Sequence, residues 1–197
     1  MNKHMKKKRK IKMKPDWRWI MTIFGMTIAI SATMSFLSGE ILSAVGLAVS
    51  FMVLFAIVLL GIVFDIIGVA VTAANEKPFH AMASKKMPEA ATALRMLRHA
   101  DRVSSICNDV VGDICGVVSG SASAVIAARA VLLMQPGWSQ VIQLLMSALV
   151  AALTVGGKAF GKSIAMNNST QIIHTASKII FSIMSLPKRL MKLFRRS

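Results

Sequence analysis

Residues 107–120 read CNDVVGDICGVVSG. The stretch is apolar enough to lie in a bilayer, yet it holds Asn108, Asp109 and Asp113, with glycines at 112, 116 and 120. Carboxylates four residues apart stack on one face of an α-helix. Ionised and bare at membrane depth they would repel, so a cation or a proton is expected between them. Asn108 adds a neutral carbonyl oxygen, and hard cations such as Mg²⁺ take oxygen donors. Gly112, Gly116 and Gly120, continued by Ala124 and Ala128, form a small-residue stripe that lets another helix approach closely.

The chain around this stretch is a series of apolar blocks. Of its 197 residues, 55% are hydrophobic, and the mean hydropathy of +0.62 is too high for an ordinary soluble domain. Blocks of about 18 or more residues with few charges indicate transmembrane helices. The blocks predict spans at about 18–38, 41–74, 103–134 and 139–157. The second is long enough to require tilt, or a kink near Gly61 or Gly68.

The net charge of +16 is spread in a way that argues for membrane flanks over a nucleic-acid partner. Nine Lys or Arg lie between Lys3 and Arg18, six between Lys77 and Arg102, eight between Lys158 and Arg196, and only Arg129 falls elsewhere. These clusters flank apolar blocks rather than forming one soluble face. The short connections Ser38-Gly39-Glu40 and Gln135-Pro136-Gly137-Trp138 carry no basic residue. By the positive-inside rule the expectation is a multi-pass protein of the cell inner (plasma) membrane, with both termini cytoplasmic and basic segments on anionic headgroups.

The expected organisation has three parts. Residues 1–17 form a basic cytoplasmic tail, with Trp17 and Trp19 beginning an interfacial aromatic belt. Residues 18–157 form the transmembrane domain, interrupted at 75–102 by a cytoplasmic helical hairpin; Pro88 followed by Glu89 is a good helix start there. Residues 158–197 form an amphipathic juxtamembrane helix, apolar at Ile172, Ile173, Ala176, Ile179, Ile180 and Ile183, which Pro187 ends before a basic tail. The fold class is all-α: an integral membrane four-helix bundle with a hairpin and a juxtamembrane helix.

Cys107 and Cys115 lie roughly 12 Å apart on one helix, too far for a disulfide, and read as small buried residues. No Ser/His/Asp, Cys/His or metalloprotease arrangement occurs, so no enzyme is expected.

Depth links the acids. Asp65 lies roughly 13 Å inside the second span, and Asp109 and Asp113 roughly 9 and 15 Å inside the third from the same side. The four oxygen-bearing residues Asn108, Asp109, Asp113 and Asp65 are therefore candidate ligands of Mg²⁺ or another divalent cation. Arg129 is roughly 24 Å beyond Asp113 and is expected to snorkel to the far interface. Lys158 and Lys162 are expected at the inner mouth or as lipid anchors.

The run VAVTAANEKPFHAMASKK, a basic segment closing with HADRVSS, and the Asn-bearing helix together resemble the transmembrane domain of the CorC/cyclin-M family of magnesium transporters. The resemblance covers about residues 41–186. Ala70 and Thr72 fit a Ser-Glu-Thr-Ala-like motif, Asn108 a Gly-Asn-Asn-like motif, and Gly157 and Lys162 a Gly-Glu-x-x-Pro-Lys motif. It implies magnesium transport with Asn108 as a site residue. Gly68 stands where the first motif has its glutamate, Lys158 where the last has its acid, and Gly161 where it has its proline. No paired CBS domains, and hence no ATP regulation through them, are expected.

Two functions are expected from these readings. The first is an integral membrane protein that binds and transports a divalent cation. The second is a non-transporting scaffold that packs through the small-residue stripe, against a second copy or another membrane partner.

Overall fold

The computed structural model describes residues 17–131 and 139–194. The basic tail before Trp17 and the turn at Gln135-Pro136-Gly137-Trp138 fall outside the described residues. Everything described is helical or short connection: α1 (Trp17–Ala44), α2 (Leu47–Ala73), α3 (Lys77–Ser84), α4 (Ala90–Arg98), α5 (Ala100–Ser105), a π-helical segment (Ile106–Gly112), α6 (Asp113–Val131), α7 (Ser139–Asn167) and α8 (Ser169–Phe194). Four helical stretches are long and apolar enough to cross a membrane, namely Trp17–Leu42, Leu47–Ala73, Ala100–Val131 and Gln140–Asn167.

α2 is the centre of the bundle. It packs against α6, the π-helical segment and α7, while α1 lies outside, against α6. Contact between α2 and α7 is close because α7 offers no side chains at two positions. A Cβ on Gly157 or Gly161 would come within 2.3 or 2.7 Å of Ile62 or Ile66.

Three apolar clusters hold the elements together. At the end carrying the hairpin, Ala70 and Val71 of α2 meet Phe79 of α3, Met96 and Leu97 of α4, Ala165 of α7 and Ile173 of α8. At the opposite end, Leu42, Leu54, Val58, Ile126 and Val150 join α1, α2, α6 and α7. α1 is held along its length by Ile23, Met26 and Met34 against Val110, Ile114 and Val118. Outside these clusters the large apolar residues face outward, as at Phe36, Phe55, Leu144 and Val155. An apolar exterior of this extent fits a lipid surrounding and would be an aggregation liability in water.

The hairpin is α3 followed by α4. Pro78 sits in the first turn of α3, where its missing N–H costs nothing. Arg95 and Arg98 occupy the last turn of α4, where cations favour the helix dipole. Lys86 turns the chain between them with a left-handed backbone (φ 58°).

Three boundaries differ from expectation. The first connection is at Val45-Gly46, not Ser38-Gly39-Glu40, which continues α1. Gly39 and the polar pair around it do not stop a helix whose neighbours remain strongly apolar, since single-residue propensity is about 1 kcal/mol or less. α7 runs past Gly157 to Asn167, and α8 begins one residue later beyond a bend at Asn168. α8 also continues through Pro187 to Phe194 rather than ending there.

Candidate functional site: a lysine between two acids

The second and last long spans run in the same direction towards the hairpin end. Asp65 lies eight residues before the end of α2, and Lys158 nine before the end of α7. Parallel neighbours with nearly equal offsets bring these residues to one level. Lys158 Nζ lies 3.9 Å from Asp65 Oδ1 and 3.9 Å from Asp113 Oδ1. Three helices therefore contribute one charge each, and the group keeps one net negative charge when all three are ionised.

The two pairs are unequal. The Asp65 side chain is 17% exposed and Lys158 is 26% exposed, whereas Asp113 is 72% exposed. Coulomb attraction strengthens as water is excluded, so the Asp65–Lys158 pair is the strong one. At 3.9 Å both are ion pairs rather than direct hydrogen bonds, which fall at about 2.7–3.2 Å.

Gly112 makes room for the ammonium. A Cβ there would lie 3.4 Å from Lys158 Nζ, 4.0 Å from Asp65 Oδ1 and 3.3 Å from the Cys107 carbonyl oxygen. Gly112 closes the π-helical segment, where i→i+5 bonding replaces i→i+4 and shifts the register of α6 beyond it. Asp109 is exposed and forms no ion pair among the described residues, whereas Asp113, also exposed, reaches Lys158.

Asn108 faces α2. Its Nδ2 donates to Ser104 Oγ at 3.2 Å, while its Oδ1 is buried without a hydrogen-bond partner. That oxygen is pressed against Gly68, where a Cβ would come within 1.9 Å of it. Glycine at 68 and asparagine at 108 thus occupy one space between them. A glutamate at 68 would have no room while Asn108 holds this position.

Only the start of the small-residue stripe is packed within the chain. Residues four apart on an α-helix advance by about 40° around the axis at 3.6 residues per turn, so the stripe winds around the helix. Gly112 is buried against Lys158, but Gly120, Ala124 and Ala128 are exposed, and a Cβ at Gly116 or Gly120 would meet nothing within 4 Å. The outward part of the stripe starts beside Asp113 and is covered by no described element.

Arg129 is placed otherwise than expected. Its Nη1 donates to the carbonyl oxygens of Leu42 and Val45, the latter at 3.0 Å. It caps the C-terminal end of α1, where unsatisfied carbonyls and the negative dipole end attract a cation. Lys162 is exposed, compatible with a headgroup anchor.

Of the predicted site residues, Asp65 and Asp113 both reach Lys158, Asn108 packs against Gly68 three residues beyond Asp65, and Asp109 is exposed with no ion pair among the described residues. Among the described residues no three His, Cys, Asp or Glu side chains gather as a metal set. Sequence reasoning missed the role of Lys158, which counting back from the common helix end would have found. In this arrangement the two carboxylates share a tethered ammonium. No family model, curated protein or solved structure matches the chain.

Proposed function

We propose that the chain is a multi-pass protein of the inner (plasma) membrane with both termini cytoplasmic, and that it is a non-transporting interaction scaffold. The observation that carries this reading is Lys158 Nζ, 3.9 Å from both Asp65 and Asp113. The place a mobile cation would take between convergent acids is held by a side chain that cannot leave the protein. The orientation rests on the basic clusters at 3–18, 77–102 and 158–196.

The partner surface in this reading is the outward face of α6. Asp113, Gly120, Ala124 and Ala128 share it, all exposed. A carboxylate at membrane depth is costly unless it faces a partner, a cation or water, and small residues beside it allow close helix contact. A second copy of the chain or another membrane helix would cover both.

A second reading, binding and transport of a Mg²⁺-like cation as in the CorC/cyclin-M resemblance, is favoured by the unpartnered Oδ1 of Asn108, a neutral oxygen of the kind hard cations use. It requires Lys158 to move aside. Divalent-cation flux into liposomes separates the two readings. The scaffold predicts no flux through the native protein, and loss of self-association or partner capture in Gly120→Leu. Native flux abolished by Asp65→Asn would establish the transporter instead.

A further inference from the structure

Between α4 and α8 lies a cavity of about 760 Å³, within the roughly 300–1,000 Å³ that ligand sites occupy. Its walls are chemically divided. Met96, Ile180, Phe181 and Met184 give an apolar side, and Arg95, with His99 beside it, gives a polar one carrying a positive charge. Arg95 is exposed and has no acidic partner among the described residues. His99 Nδ1 donates to the Arg95 carbonyl oxygen at 3.1 Å, so Nε2 donates to a phosphate only when the ring carries both protons.

The apolar wall does not end at the cavity. Met184 is 58% exposed, and Ile183 and Ile179 continue outward from it at 61% and 55%. The cationic side has a depth marker: Val103 also lines the cavity, and the adjacent Arg102 lies over the ring of Trp19, 5.1 Å from its centroid. Tryptophan at the start of an apolar span marks the headgroup level.

We propose that this cavity binds one anionic glycerophospholipid, its phosphate on Arg95 beside His99 and its acyl chains along Phe181, Ile180 and Met184 into the bilayer. A soluble anion would use only the cationic side and leave the apolar wall uncovered. A zwitterionic lipid would lack the net charge that the exposed Arg95 guanidinium selects. The proposal rests on the membrane orientation given above, and it concerns a discrete site rather than general attraction to the surface.

The test is native mass spectrometry of the full chain in detergent, titrated with phosphatidylglycerol, phosphatidylcholine or inorganic phosphate. One phosphatidylglycerol is expected to be retained per chain, in clear preference to phosphatidylcholine, and phosphate is expected not to displace it. Arg95→Gln should weaken retention by about fivefold or more, and Phe181→Ala should weaken it without changing the headgroup preference. Lys85→Gln, outside the cavity, should leave it unchanged, and a thermal melt of each variant shows that the fold persists. Equal retention of both lipids, displacement by phosphate, or unchanged binding in a folded Arg95→Gln would each overturn the site. None of these outcomes depends on whether the chain conducts ions or self-associates.

Discussion

Lys158 and Asp65 hold each other across α7 and α2, with Nζ and Oδ1 3.9 Å apart and both side chains largely shielded. The second acid near Lys158 among the described residues, Asp113, is mostly exposed. The pair therefore joins the two central helices at one fixed register, close to Ile62 and Ile66, which sit against Gly157 and Gly161.

Lys158→Met should strand the Asp65 carboxylate. Breaking a buried pair costs about 3–5 kcal/mol, and the residual exposure of both partners places this case near about 2–3 kcal/mol. Lys158→Met combined with Asp65→Leu should regain most of the loss, since a well-packed apolar pair commonly replaces an ion pair without penalty. Asp113→Asn, at an exposed position, should cost no more than about 1 kcal/mol. Unfolding titrations in detergent micelles check all three. Equal costs for Asp65→Asn and Asp113→Asn would contradict the inequality of the two pairs.

Gly68→Ala puts a methyl where the Asn108 carboxamide lies, 1.9 Å from Oδ1. Asn108 can escape only by leaving Ser104 Oγ or by pushing α2 away. Overpacking of this kind costs about 1–3 kcal/mol. Asn108→Ala should cost less than that alone, and in the Gly68→Ala background it should be stabilising. A double-mutant cycle reads this as a coupling energy of about 1 kcal/mol or more, and additivity within error would refute the shared space.

The four spans, the hairpin start at Glu89 and the amphipathic helix after Lys158 were legible because each rests on composition over many residues. Hydrophobic length and period survive local exceptions. The site was legible only in part. Asp65 and Asp113 could be set at one depth by counting rise, but which acid reaches a cation on another helix depends on azimuth, which the π-helical turn between Ile106 and Gly112 shifts. Lys158 was hidden by ending the last span at Gly157, since two glycines look like a stop. The helix continues there because Gly157 and Gly161 are where α2 approaches. The role of Arg129 was hidden because a snorkelling arginine and one that caps a neighbouring helix look identical along the chain.

Arg129→Gln should loosen the end of α1 specifically. The side chain satisfies the Leu42 and Val45 carbonyls, and a cation at a helix C-terminus contributes up to about 2 kcal/mol when partly buried. Hydrogen exchange should rise in the last turn of α1 and in the first turn of α2, where Ser50 Oγ also bonds the Gly46 carbonyl. The π-helical segment and Asp65 region should be unaffected. A uniform rise across all helices would show that Arg129 supports the bundle globally rather than this joint.

Glu89 and His174 join the hairpin to the juxtamembrane helix, with Oε1 and Nε2 3.3 Å apart. Glu89 stands at the start of α4, and a hydrogen bond from its own backbone holds its carboxyl below the ordinary value of 4.5; His174 and Lys178 lower it further, against the opposing effect of burial. A carboxylate with a depressed folded pKa stabilises the folded state above its unfolded value, and that contribution disappears as pH falls through the folded value. The contribution of the Glu89 carboxylate to the α4–α8 contact should therefore be fully present above its unfolded value of about 4.5 and be lost as pH falls through the lowered folded value. Exchange at the amides of α4 and α8, followed from about pH 6 to 3 and corrected for intrinsic rates, should show this loss in the native chain. In Glu89→Gln the two helices should be looser at about pH 6 and show a flatter response to acid. The same acid response in both proteins would assign the transition to another group.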